Sequence, residues 1–250
     1  MKRLITLVVL MLLVAQFASA QEEPIPPKRS RMAKMGLFGG YTPGWLFADV
    51  KPLNAFLTAG RGAPLKEDGM LMSGGGGAAY IMLIPNVRVG GVGMSGGLKS
   101  TSIDGNAIRR DAELSVGLGG VTIEYVIPVV ERLDVAFGAM LGWGWLELTL
   151  RQSNGGSNTW VGEQDLFGAW TAGSPGNMTR TLSGSYFLWA PTLNVEYAFL
   201  SWLGARVGVS YVGMSFPSWE VDGKHELLGV PSDITGKGLM IQAGLFVGTF

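Results

Sequence analysis

The chain has 250 residues, of which 47% are hydrophobic and 15% charged, with 39 glycines and no cysteine. Nineteen basic residues balance nineteen acidic ones, so there is no excess positive charge of the kind that binds nucleic acid. The lack of cysteine excludes disulfide scaffolds and thiolate-ligated metal sites. The glycine content disfavours a helical protein, because each interior glycine destabilises a helix by about 1 kcal/mol.

The first twenty residues have the pattern of a secretory signal peptide. A positive start at Lys2-Arg3 precedes an apolar run, and Ala18-Ser19-Ala20 forms an A-x-A cleavage site. We therefore expect residues 1–20 to be removed on export. Three prolines follow without any apolar period, so we expect residues 21–33 to form a flexible periplasmic segment and residues 34–250 to form the folded domain.

The folded part shows period-two alternation in segments long enough to cross a bilayer as tilted strands. The clearest segment is 133–149, where large apolar residues alternate with small ones such as Gly138 and Gly142. Segments 182–199 and 203–214 repeat this split. The pattern predicts strands with a lipid-facing side and a small, inward side.

Other segments are less regular. In 111–127 the apolar positions change from even to odd numbers near Gly119-Gly120, which predicts a β-bulge at the glycine pair. Segments 34–41, 70–84 and 87–99 are glycine-rich and fainter. The last segment, 238–250, is apolar on both faces, so its orientation is not predicted.

Short and long connections alternate along the chain. The short ones lie at 84–87, 127–131 and 199–202, and the long polar ones at 42–69, 100–110, 151–180 and 217–237. Outer-membrane barrels have short periplasmic turns and long external loops. The pattern therefore predicts an all-β protein, an eight-stranded antiparallel up-and-down transmembrane β-barrel with both termini on the periplasmic side.

The end of the chain carries a family resemblance. Phe250 is the final residue and Phe246 stands in the matching phase. With the signal peptide and the strand pattern, the chain resembles bacterial outer-membrane β-barrel proteins of the small OmpA/OmpX type. The resemblance implies a location in the outer membrane, contact with outer-membrane lipid, and recognition of the last strand by the barrel assembly machinery.

Charged residues are predicted to gather inside the barrel near the short turns. These positions fall on the small-residue face: Arg88, Glu124, Asp134, Asn194, Glu196 and Arg206. Eight strands leave an interior just wide enough for side chains, and buried charges there must pair. We expect an Arg–carboxylate network that plugs the barrel, either as a structural polar core or as a gate or proton-coupled site.

A short helix is predicted within the first long loop, over 49–59, with Pro52 in its first turn and Gly60 and Gly62 after its end. Its apolar residues are Val50, Leu53, Phe56 and Leu57. Two interpretations remain open. The helix either folds into the barrel mouth as a plug or lies as an amphipathic lid on the membrane surface.

Three functions are compatible with this architecture. The first is a structural or surface-binding role without a large pore, in which loop aromatics bind a partner, pack together or rest at lipid headgroups: Trp160, Phe167, Trp170 and Trp219. The second is binding or transport of a lipid or other apolar ligand in the lumen. The third is a lipid-modifying enzyme that uses His225, the single histidine. No nucleotide or metal motif is present, so we expect no cofactor.

Overall fold

The computed structural model describes residues 36–81, 83–105, 108–153, 177–231, 234 and 237–248. Within these ranges no helix is long and apolar enough to cross a membrane. The described elements are one helix, α1 (Lys51–Ala59), and ten strands: β1 (Leu37–Tyr41), β2 (Gly44–Ala48), β3 (Met70–Tyr80), β4 (Val87–Ile103), β5 (Arg109–Val130), β6 (Leu133–Ser153), β7 (Met178–Ala198), β8 (Leu203–Val221), β9 (His225–Glu226) and β10 (Gly238–Gly248).

The strands close into one ring of eight. Strands β3 to β8 pair in sequence order, and all of their ladders are antiparallel. Strand β10 pairs with β8 on one side and with β1 and β2 on the other, and β1 and β2 both pair with β3. The two short strands are therefore halves of the first barrel strand, and β9 only extends the β8 edge. The predicted eight-stranded up-and-down barrel is confirmed.

The first barrel strand is interrupted at Thr42 and Pro43. Proline has no backbone N–H to donate to a ladder. Both neighbouring strands nevertheless keep hydrogen bonds to the interrupted segment. The Thr42 amide donates to the Gly74 carbonyl at 2.9 Å, and the Ala243 amide donates to the Pro43 carbonyl at 3.0 Å. The predicted strand 34–41 consequently continues to Ala48, and the first long loop begins later than expected.

The central strands are about twice as long as a bilayer requires. Strand β5 has 22 residues and β6 and β7 have 21 each, whereas about 9–11 tilted residues span the hydrocarbon. The predicted loop 100–110 shortens accordingly, because β4 runs to Ile103 and β5 begins at Arg109. One half of the barrel therefore projects beyond the membrane on the long-loop side.

The outer surface shows which half is embedded. On β6 the outward side chains of Phe137, Leu141, Trp143 and Trp145 are large, apolar and exposed, and Trp143 is 71% exposed. Further along, the outward positions become Glu147 and Arg151. A wide apolar belt bounded by aromatic residues is typical of a barrel that lies in lipid. The closed ring of strands also leaves no unpaired strand edge within this belt. The half with this apolar outer belt spans the membrane.

The predicted bulge at Gly119-Gly120 is wrong. Gly119 pairs with Gly93 and Trp143 without any change of register, and the register shifts of β5 and β7 lie at Pro128/Val130 and Ser185/Phe187. Even-numbered β5 residues point inward from Arg110 to Val126. The apolar residues change face because hydrocarbon surrounds one half of the barrel and water the other.

Several aromatic rings lie flat over glycines on the adjacent strand. A Cβ at Gly117 would overlap the Trp145 indole, one at Gly213 would overlap the Trp189 indole, and one at Gly144 would overlap the Tyr186 ring. The first two pairs are on the outer surface and the third is inside. Tyr186 is held further by its hydroxyl, which donates to the Gly117 carbonyl at 2.7 Å. These glycines are required because a ring occupies the space of their side chain.

We predict that Gly144→Ala destabilises the barrel by about 1–3 kcal/mol, because the added methyl would overlap both the Gly117 carbonyl and the Tyr186 ring, which are themselves joined by a hydrogen bond. Gly93→Ala is the matched control, since nothing lies within 4 Å of a Cβ at that position. Urea unfolding of both variants in phospholipid vesicles measures the difference. Equal stabilities would contradict the role of the ring.

Candidate functional site

Two arginines and two glutamates form a buried network inside the membrane-spanning half. Arg88 Nε donates to Glu124 Oε2 at 2.7 Å, and Arg88 Nη1 donates to Glu196 Oε2 at 2.6 Å. Arg206 pairs with the other oxygen of Glu196. The Arg88 side chain is 1% exposed and that of Glu124 is 2% exposed. The two positive and two negative charges of these four side chains balance one another.

Strand register brings these residues together. Arg88 lies directly opposite Glu124 on the β4–β5 ladder, and Glu196 lies opposite Arg206 on the β7–β8 ladder. Asp134 lies opposite Glu196 on the β6–β7 ladder and shares the inward face. Because all of them sit a few residues from the short turns, they meet at one level of the barrel.

Amides extend the network toward the closing strand. Asn194 Nδ2 donates to Glu124 Oε1 at 2.7 Å, and Gln242 Nε2 donates to Asn194 Oδ1 at 3.1 Å. The structure thus places all six predicted residues on the inward face. Gln242 was missed because the apolar pattern of residues 238–250 gave no orientation for that strand.

Two phenylalanines lie against the arginines. The Arg206 guanidinium carbon is 4.9 Å from the centre of the Phe246 ring and 5.4 Å from that of Phe38, and Arg88 lies 5.1 Å from Phe38. The two rings meet edge to face at 5.3 Å. Such cation–π contacts strengthen when desolvated. Phe38 was missed because the first strand has only a faint pattern.

The position of Phe246 bears on the expected assembly signal. Phe246 points into the barrel and is 4% exposed, so it packs with the charged network instead of facing lipid. Phe250 lies outside the described residues. Recognition of this strand by the assembly machinery stays a prediction.

We predict that Arg88→Met destabilises the barrel by about 3–5 kcal/mol, because it removes the nearest cation of the buried Glu124 carboxylate and leaves Arg206 alone to balance two glutamates. Lys99→Met is the control: Lys99 pairs with Glu113 at 2.7 Å but is 74% exposed, so its loss changes stability by about 1 kcal/mol or less. Urea unfolding in vesicles compares the two. A small effect of Arg88→Met would mean that the network adds little stability.

Helix α1 is folded into the long-loop end of the barrel. Val50, Leu53 and Leu57 are 3%, 5% and 4% exposed, and they join one apolar cluster with side chains from the barrel interior. The cluster includes Leu46, Leu114, Val116, Leu146 and Met214. These contacts favour the plug interpretation over a lid on the membrane surface. Phe56 is wrong as a plug residue, because it lies on the outer flank of the helix and is 49% exposed.

A buried asparagine fixes this helix to the segment that returns to β3. Asn54 is 7% exposed, its Nδ2 donates to the Leu65 carbonyl at 3.0 Å, and its Oδ1 accepts from the Leu65 amide at 2.7 Å. The side chain thus satisfies both backbone groups of Leu65. Nothing in the sequence pattern pointed to Asn54, since its partner is a loop residue.

We predict that Leu53→Ala destabilises the barrel by about 2–5 kcal/mol, as truncation of a buried leucine does. Phe56→Ala on the same helix removes a half-exposed ring, so we expect an effect of about 0.5 kcal/mol. Thermal unfolding followed by circular dichroism in detergent measures both. Equal effects would contradict a plug.

The described part of the lumen contains two small cavities. One, of about 30 Å³, lies next to the network, and one, of about 10 Å³, lies beneath the helix. An engineered cavity of about 150 Å³ accommodates one benzene. Neither cavity has room for an acyl chain, so the geometry of the described lumen does not favour the lipid-carrier hypothesis.

The predicted loop anchors divide into two groups. Trp219 is wrong as an exposed anchor: it is 7% exposed, and its ring stacks on Phe216 with centroids 5.0 Å apart. Its strand extends further than predicted, and the projecting barrel buries the ring. Trp160, Phe167 and Trp170 lie outside the described residues.

His225 lies exposed in the short strand β9, opposite Val221. The nearby Asp222 carboxylate accepts from the Thr181 amide at 3.0 Å and pairs with Arg180. The Thr181 hydrogen bond and the Arg180 guanidinium hold the pKa of Asp222 below its usual range. The Asp222 carboxylate is therefore already bound by the Thr181 amide and by Arg180. Among the described residues, no group of His, Asp and Glu side chains could hold a metal ion.

The sequence matches no protein-family model and none of the curated proteins. The solved structures with a similar fold include the following three. Ail of Yersinia pestis, in complex with the heparin analogue sucrose octasulfate, has 11% identity and a TM-score of 0.36, over 84% of this chain and 96% of that one. OprG from Pseudomonas aeruginosa has 8% identity and a TM-score of 0.44, over 86% and 95%. A major outer membrane protein from Thermus thermophilus has 8% identity and a TM-score of 0.42, over 85% and 98%.

Proposed function

We propose that this protein is a sealed outer-membrane barrel that holds a rigid β-platform at the cell surface, with a structural or surface-binding role and no enzymatic activity. The observation that carries this proposal is the filling of the lumen. The ionic network occupies the short-turn end of the lumen, and helix α1 with its apolar cluster occupies the long-loop end. A structural or surface-binding role needs no passage through the lumen.

The platform is the projecting half of β4 to β7. Its outward face carries hydroxyl and charged side chains in successive cross-strand rows: Ser115, Glu147 and Ser183; Lys99, Glu113, Thr149 and Thr181; Thr101, Asp111, Arg151 and Thr179. Of these, Thr149 is only 9% exposed, and the exposed Ile103 follows in the next row. Cross-strand and same-face contacts hold the rows in place. Glu113 pairs with Lys99 at 2.7 Å, and the Thr101 hydroxyl donates to Asp111 at 2.6 Å. Pairs of this kind stabilise a sheet.

The first rows lie directly beyond the aromatic boundary formed by Trp143, Trp145 and Phe187. That level of a barrel faces the polar part of the outer leaflet. Hydroxyls and alternating charges hydrogen-bond saccharides and phosphates, so outer-membrane lipid is the first partner of this surface. The rows further out are free of the membrane and supply the surface for other partners.

A sealed lumen predicts that the purified protein in planar lipid bilayers shows no stable channel. The interior would have to lose both the ionic network and the helix plug to conduct, so Leu53→Ala alone also stays closed. Single-channel recording measures this. A steady channel of nanosiemens size in the wild type would contradict the proposal.

Insertion is checked separately in cells, by labelling of single cysteines. The chain has no cysteine, so single cysteines report position without background. A cysteine at Thr101, near the tip of the platform, is expected to react with a membrane-impermeant maleimide on intact cells. A cysteine at Glu131, in a short turn, is expected to react only after the outer membrane is permeabilised.

A further inference from the structure

A cavity of about 30 Å³ lies beside the ionic network, within the membrane-spanning half. Polar side chains from five barrel strands line it, together with the Phe246 ring: Thr42, Thr122, Glu124, Thr192, Arg206, Ser210 and Gln242. Hydrocarbon surrounds this level of the barrel on the outside. The polar groups that line the cavity therefore have no access to bulk water through the wall.

Some of these polar atoms have no hydrogen-bond partner in the described part of the chain. They are the hydroxyl oxygens of Thr42, Thr192 and Ser210 and the Nε of Arg206. Thr42 is 4% exposed and Ser210 is 2% exposed. Buried polar side chains are almost always hydrogen-bonded in folded proteins, and here they converge on one cavity. The geometry requires a guest that can bond to several of them.

The size and charge of the cavity identify the chemical class of the guest. One water molecule needs roughly 10–15 Å³ of such volume, so the cavity fits about two. Hydroxyl groups both donate and accept, whereas Arg206 Nε only donates. The two arginines are balanced by Glu124 and Glu196, so no net positive charge favours an anion. We propose that this cavity is a binding site for a pair of ordered water molecules.

Glycines and the broken first strand create the space. A Cβ at Gly76 would come within 2.8 Å of the Gly91 carbonyl oxygen, and one at Gly244 would come within 2.9 Å of both the Thr42 hydroxyl and the Phe246 ring. Side chains at these positions would fill the cavity or cover Thr42. The waters occupy the level at which the ionic network ends and satisfy hydroxyls that no side chain reaches.

Replacement of one hydroxyl tests whether the site is hydrated. In Thr42→Val a methyl group of similar shape replaces the hydroxyl. In a hydrated site the waters lose a partner, so we expect the Tm in detergent to fall by several degrees. In a dry site the variant removes an unsatisfied polar group, and the Tm stays equal or rises. Thr179→Val, on the exposed outer face, is the control and is expected to leave the Tm nearly unchanged.

The wild-type crystal structure gives a second test that does not depend on a variant. We expect two density peaks within hydrogen-bond distance of Thr42 and Ser210, and no anomalous signal there after a bromide soak. A bromide peak in the cavity would overturn the water proposal in favour of an anion site. A cavity without density would overturn it as well.

Discussion

Backbone amides inside hydrocarbon have no water to bond, so a sheet in a bilayer must leave no edge open. Strand β10 meets this requirement by pairing with β8 on one side and with the two halves of the first strand on the other. The closed ring of strands positions the ionic network, helix α1 and the projecting half of the barrel. Even the break at Pro43 keeps a hydrogen bond to its neighbour, through the Ala243 amide.

A wall that passes from lipid into water must change its surfaces at the boundary. Along β5 the inward residues are polar near Glu124 and apolar from Leu118 to Ala112, while the outward residues change from Ile123 to Glu113. The membrane half thus has an ionic interior and an apolar exterior. The projecting half has the distribution of a water-soluble barrel, with helix α1 completing its core. The two halves share one uninterrupted backbone register.

This arrangement accounts for the filled lumen. The interior of an eight-stranded barrel is filled by side chains. In the membrane-spanning half the apolar side chains face the lipid, and the inward positions are filled by charged side chains. They are stabilised by mutual pairing of Arg88, Glu124, Glu196 and Arg206 and by contact with two phenylalanine rings. The resulting molecule is closed to passage and presents a stiff polar surface, which is the basis of the proposed surface role.

The sequence by itself determined the strand number, the short and long ends, the charged layer and the helix, because period-two alternation, turn residues and inward charges are local signals. Only the tertiary structure decided the rest. The change of face at Gly119 looked like a bulge because sequence does not show where the surrounding solvent changes. Gln242, Phe38 and Asn54 became partners of the network and the plug through contacts between residues distant in sequence. Trp219 and Phe246 are buried for the same reason: the length and register of neighbouring strands decide which side of the wall a residue occupies.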